Sequence, residues 1–133
     1  MKTDKKQFAL EQIAPYFKNP ELCGFDDYDS SCKYLTESGN MCVAGKNMNP
    51  DFLEKVKDSS KGIEALLRYD TQDVVFFNKS ANILDANEWA KLQTVHDRIA
   101  KSYDIHSDKD LIRSIDWLGL FTYDELVAKA ESL

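Results

Sequence analysis

Trp89, Leu92, Val95, Ile99 and Tyr103 recur at helical spacing between Asp85 and the end of that run. Side chains three and four residues apart share one face of a helix, so the pattern predicts an amphipathic helix from Asp85 to about Tyr103. Asp85 followed three positions later by Glu88 has the form of a capping box and sets its start. The apolar stripe has to lie against something, and the rest of the chain must supply it. At 133 residues with 43% apolar content, one domain spanning 1–133 can bury roughly two thirds of its unfolded surface. Neither a metal nor a disulfide is needed to hold such a core.

Other helices can be read from their ends. The first runs from about Asp4 to Lys18, with Phe8, Ile13, Tyr16 and Phe17 on its apolar face and Pro15 expected to bend or shorten it. Asn49-Pro50 is an N-cap with proline at the first helical position, opening a short helix to about Lys57. A second short helix covers Gly62 to Tyr69. Ser107 is placed as the cap of a helix from Asp108 to Trp117 that Gly119 breaks, and Thr122 with Glu125 forms a capping box for a last helix carrying Leu126, Val127 and Ala130. Val74 to Phe77 is too short an apolar run for periodicity to decide, so strand and buried turn both stay open.

The segment from Cys32 to Gly45 reads differently. Lys33 to Thr36 and Met41 to Ala44 are β-compatible runs, and Glu37-Ser-Gly-Asn40 supplies turn residues that tolerate positive φ. This predicts a hairpin with Cys32 and Cys42 on facing strands, able to oxidise to one another in vitro. The fold class expected is therefore α+β, predominantly α-helical, with helices packed around one small β-hairpin. Glu21 to Ser31 reads as a loop.

A formal net charge of −6 disfavours the cationic surface that phosphate backbones require, so no nucleic-acid partner is expected. The charged N-terminus is not followed by an apolar signal core and no run reaches the length of a membrane span, so no membrane association and a cytoplasmic location are expected. Three cysteines fit free thiols in a reducing compartment.

Cys42 with His96 suggests a nucleophile and its base, the general form of a thiol hydrolase. The plainer reading, adopted here, is that a small buried cysteine packs against the amphipathic helix while the His96 ring caps a polar group of the hairpin. Asp97, the next residue, projects about 100° around the helix and is poorly placed to orient His96. Cys23, Cys32 and Cys42 with His96 or His106 contain enough soft ligands for zinc but no Cys-x-x-Cys knuckle, so no metal is expected. Asp26-Asp-Tyr-Asp29 lacks the glycine and terminal glutamate of a calcium loop. Phe25, Tyr28 and Tyr34 could form an aromatic and acidic recognition surface, or simply pack. Arg68, Arg98 and Arg113 are the only arginines, and their convergence would mark an anionic small-molecule site. No phosphate loop, serine elbow or dinucleotide fingerprint is present, and no cofactor is expected.

Cys32, Tyr34, Gly39, Cys42, Val43 and Gly45, then Gly62, then Leu92, Gln93, His96 and Asp97 form a pattern over residues 31–97. It resembles a family of small, uncharacterised bacteriophage and prophage proteins. Their first segment reads Cys-x-Tyr-Arg-x-x-x-Gly-x-x-Cys-Ala-Val-Gly, with an acidic residue and a glycine further on. Two positions depart from it: no arginine follows Tyr34, and Lys61 stands where glutamate precedes the glycine. Any activity that depended on that acid is placed in doubt here. The resemblance implies a phage-encoded accessory protein acting by binding, most plausibly one that inhibits or redirects a host defence protein in the host cytoplasm. A sequestering protein for a nucleotide-like small molecule and a Cys–His thiol hydrolase are the alternatives.

Overall fold

A computed structural model describes residues 5–26, 31–57, 62–69, 75–76 and 79–133. Among these the chain forms α1 (Lys5–Lys18), α2 (Pro50–Val56), α3 (Ile63–Tyr69), α4 (Ala86–Lys101), α5 (Lys109–Leu118) and α6 (Tyr123–Glu131). Single 3-10 turns occupy Pro20–Leu22, Gly45–Asn47 and Lys79–Ile83. Helix α4 packs against α1, α3 and α5, and α1 packs on its other side against α6.

Helix α4 starts where its capping box places it. The Glu88 N–H donates to Asp85 Oδ1 at 2.7 Å and the Asp85 N–H donates to Glu88 Oε1 at 3.0 Å. Its buried face carries Trp89, Leu92, Val95, His96 and Ile99. Trp89 is fully enclosed between Phe8 and Phe76, with ring centroids at 6.0 and 4.9 Å, and its indole Nε1–H donates to Ala81 O at 2.8 Å. An indole is buried without penalty only when that donor is satisfied. Tyr103 does not belong to this face: the helix ends at Lys101 with Ser102 as its cap, and Tyr103 is fully exposed beyond it.

The Asn49-Pro50 start of α2 and the Thr122 box of α6 form as their residues dictate. Helix α5 is capped one residue later than expected. Asp108 Oδ1 accepts from the amides of Asp110 and Leu111, whereas Ser107 donates to Asp104 Oδ2. Gly119 ends α5 at φ 70°, the left-handed position that glycine adopts without strain. Pro15 lies inside α1 without shortening it; the helix reaches Lys18 because Ala14, Tyr16 and Phe17 around the proline are all buried.

The expected hairpin does not form, and the fold is helical rather than α+β. Thr36 to Asn40 does turn, with Gly39 at φ 94° and the Thr36 amide on Asn40 O at 2.8 Å. Pairing then stops at one bridge between Leu35 and Met41, and the chain after Met41 winds into the 3-10 turn at Gly45–Asn47. Side chains of Val43 and Ala44 are buried against the helices, so this stretch follows the helical core and not a partner strand. Among the described residues the only ladder is two residues long, Phe25–Asp26 against Ser31–Cys32. Cys32 is therefore paired in register with Phe25, not with Cys42. Of the run left open by periodicity, Val75 and Phe76 are described: both are buried, and Phe76 bridges Met48.

Replacing Trp89 by Phe removes the indole donor to Ala81 O and leaves part of the space between Phe8 and Phe76 unfilled. We expect a loss of about 2 kcal/mol in urea denaturation, against about 1 kcal/mol for Asp85→Ala at the exposed cap.

Candidate functional site

The polar group on the apolar face of α4 is His96, and its ring is wholly buried. Nε2 accepts the backbone N–H of Gly24 at 3.1 Å. An accepting ring nitrogen carries no proton, so the imidazole is neutral with its proton on Nδ1, which donates to Asp97 Oδ1 at 2.9 Å. The Gln93 amide nitrogen lies 3.4 Å from Nδ1, donor facing donor, and bonds Asp97 Oδ1 at 3.1 Å instead. Its carbonyl oxygen accepts the Ala44 N–H at 3.2 Å. From α1, the Tyr16 ring meets His96 edge-on at 4.9 Å, and its hydroxyl donates to Met41 O at 2.7 Å.

Two expectations about this histidine resolve differently. The ring does cap a polar group, but that group is Gly24 ahead of the two-residue ladder. Asp97 does orient His96. The 100° separation describes where the two Cβ atoms leave the helix, and both side chains are long enough to swing together across it.

Gly24 sits where backbone segments cross. A Cβ there would overlap Cys42 N and Lys33 O, and its carbonyl accepts the Lys33 N–H at 2.7 Å. Gly45 approaches Tyr34 O just as closely. Only glycine permits either approach.

Both described thiols are sealed in the same region. Cys42 is 1% exposed and its Sγ accepts the Gly45 N–H at 3.2 Å; burial pushes the thiol up to about 12. Burial also pushes Cys23 up to about 12, helped by the nearby Asp97 charge, and its Sγ lies 4.0 Å from His96 O as a weak donor. Burial raises the Tyr16 and Tyr34 phenols as well. Lys46 runs the other way: its ammonium donates to Gln12 O at 2.8 Å, lies 4.8 Å from the Tyr16 ring centroid, and is lowered to about 8 by desolvation. Nothing in the residue pattern around Gly24 or Lys46 marks them, because their roles arise from segments far apart in sequence.

Cys42 and His96 thus share one buried cluster without forming a nucleophile and base. Both ring nitrogens are bonded elsewhere, and the thiol is held protonated. His106 lies apart from the thiols, with Nδ1 3.1 Å from Tyr123 Oη and its ring edge-on to Phe17 at 5.5 Å. No group of three or more His, Cys, Asp or Glu side chains among the described residues is arranged to hold a metal ion.

The candidate binding residues are dispersed. Tyr34 is buried and Phe25 half-buried against the core, so neither presents an open recognition face; Tyr28, with the centre of the acidic loop, lies outside the described residues. Arg68 pairs with Glu64 of its own helix at 2.9 Å, Arg113 faces Asp110 of its own at 3.5 Å, and exposed Arg98 acts on Asp108. A cavity of about 360 Å³ beside the Thr36 turn is lined by Lys33, Leu35, Thr36, Glu37, Gly39 and Lys57 and by none of these arginines. Trp117 is 56% exposed with the Lys91 ammonium 5.0 Å from its ring centroid, whereas neighbouring Phe121 closes the core.

No family model matches this chain, and neither a curated protein nor a solved structure does.

The crossing at Gly24 has a direct test. Gly24→Ala should cost about 2–4 kcal/mol in urea denaturation, because backbone and not a flexible side chain must move. Titration gives a second. The thiols pass from 9.0 when exposed to about 12 when folded, so the unfolded chain loses protons that the native state keeps. Their stabilisation is full below pH 9 and declines above it, by about 1.4 kcal/mol per pH unit for each group out of step. Lys46, about 8 folded against 10.5 unfolded, adds stability as pH rises between those values. Two thiols, joined by the phenols, outweigh one lysine. Stability should therefore fall above pH 9, and Cys42→Ala should make that fall shallower in pH-dependent urea titrations.

Proposed function

We propose that the protein acts by binding, as a phage-type accessory factor that inhibits or redirects a host defence protein. The observation that carries the binding half is that the groups able to do chemistry are enclosed and already committed: Cys42 to Gly45, and His96 to Gly24 and Asp97. A thiol hydrolase needs the reverse, an accessible thiolate beside an unoccupied imidazole nitrogen. The host-directed half rests on the resemblance over residues 31–97. Small-molecule sequestration draws less support, since Arg68 and Arg113 each neutralise an acid of their own helix. No described helix is long and apolar enough to cross a membrane.

The test pairs thiol labelling with affinity capture. Iodoacetamide should label Cys42 in the folded protein roughly a thousandfold more slowly than in the unfolded chain, the ratio set by thiolate fraction. Immobilised wild-type protein and Cys42→Ala should retain the same stoichiometric bacterial protein, and Trp117→Ala, at the most exposed tryptophan, should weaken its retention. Rapid labelling of Cys42 below pH 8 would favour catalysis instead. Failure of both forms to retain any protein would sink the proposal.

A further inference from the structure

We infer that His96 is an acid-operated latch: protonation of its Nε2 expels the Gly24 amide and releases the backbone at Cys23 and Gly24 from α4 while the helical core stays folded. The geometry leaves protonation no other accommodation. Nε2 bonds Gly24 only as an acceptor, and an added proton would set two N–H donors face to face at 3.1 Å in a site closed to water.

Among the described residues, the surrounding groups offer no second acceptor of matching charge. On α4, Asp97 already takes the Nδ1 proton and Gln93 is bonded to Asp97 and Ala44. From α1, Tyr16 presents a ring edge and its hydroxyl is committed to Met41 O. On the side of the Gly24 backbone, Cys23 and Cys42 are protonated thiols, Tyr34 is a neutral phenol, and Glu21 acts on Cys23. Lys46, over the far part of the Tyr16 system, is a cation. Among the described residues the counter-charge in contact is Asp97, on the Nδ1 side, and its 33% exposed carboxylate is where solvent meets the pair. Asp97 therefore favours the imidazolium without satisfying its second N–H.

Release can be local because the rest of the core does not depend on Gly24. Trp89, Leu92, Ile99, Leu111 and Leu126 are fully buried on α4, α5 and α6, helices that pack on one another or on α1 and α3, and segments held by few bonds open below the global unfolding free energy. The open state binds one proton more than the closed state, so falling pH drives opening. This inference stands whether or not the protein binds a host partner.

The test is an NMR titration of the full chain from pH 7.5 downward. At pH 7.5 the His96 nitrogen shifts should report the Nδ1–H tautomer. As His96 takes its second proton, the Gly24 amide protection factor should fall by at least about tenfold with the same midpoint, while Trp89 Nε1–H stays protected. His96→Gln, an acceptor that cannot protonate, should keep Gly24 protected at all pH values; if it does not fold, the wild-type titration decides alone. Gly24 remaining protected through His96 protonation overturns the latch. So does loss of Gly24 and Trp89 protection together.

Discussion

An imidazole with no exposure to water and both nitrogens bonded is the hinge of this structure. His96 stands on the central helix, yet its Nε2 bond reaches Gly24, and its neighbour Gln93 reaches Ala44. These bonds tie the stretch between α1 and α2 to α4; in that stretch a two-residue ladder, one bridge and two 3-10 turns leave the Gly24 and Ala44 amides to side-chain acceptors. Buried polar groups are tolerated only when each finds a partner. Here the partners come in a chain: Gly24 to His96, His96 to Asp97, Asp97 to Gln93, Gln93 to Ala44.

That chain of bonds also accounts for the chemistry the region does not do. Cysteine, histidine and aspartate gathered in one place are the usual ingredients of a nucleophilic site. Their environment reverses the role: burial holds the thiols protonated, a backbone amide occupies the nitrogen a nucleophile would use, and Asp97 fixes the tautomer that accepts that amide. The same residue types serve as internal cement. Among the described residues, Leu22, Tyr103, Trp117 and Leu133 are the large apolar side chains left exposed.

The helices were legible because their signals are local. Asp85 with Glu88, Thr122 with Glu125 and Asn49 with Pro50 satisfy amides within a turn of themselves, and the Trp89, Leu92, Val95, Ile99 face follows from helical periodicity alone. Tyr103 shows the limit, since periodicity does not reveal that the helix stops two residues earlier. The hairpin failed for a related reason. Its turn residues were correctly placed around Gly39, but strand pairing competes with packing into a core, and Val43 and Ala44 are buried there instead of continuing the ladder opposite Lys33 and Cys32.

By itself, the sequence determined an α-rich chain with one strongly amphipathic helix, the caps of that helix, of α2 and of α6, and a net charge of −6. The helices and their caps depend on residues within a few positions of one another, and the charge on composition alone. Only the tertiary structure decided that Gly24 lies against Cys42, that the His96 ring bonds its amide, that Asp97 turns back to that ring, and that Lys46 is desolvated over Tyr16. Apart from the bond between the adjacent residues His96 and Asp97, those contacts join residues 18 to 72 positions apart, and their energies depend on burial and approach distance, which no local pattern encodes.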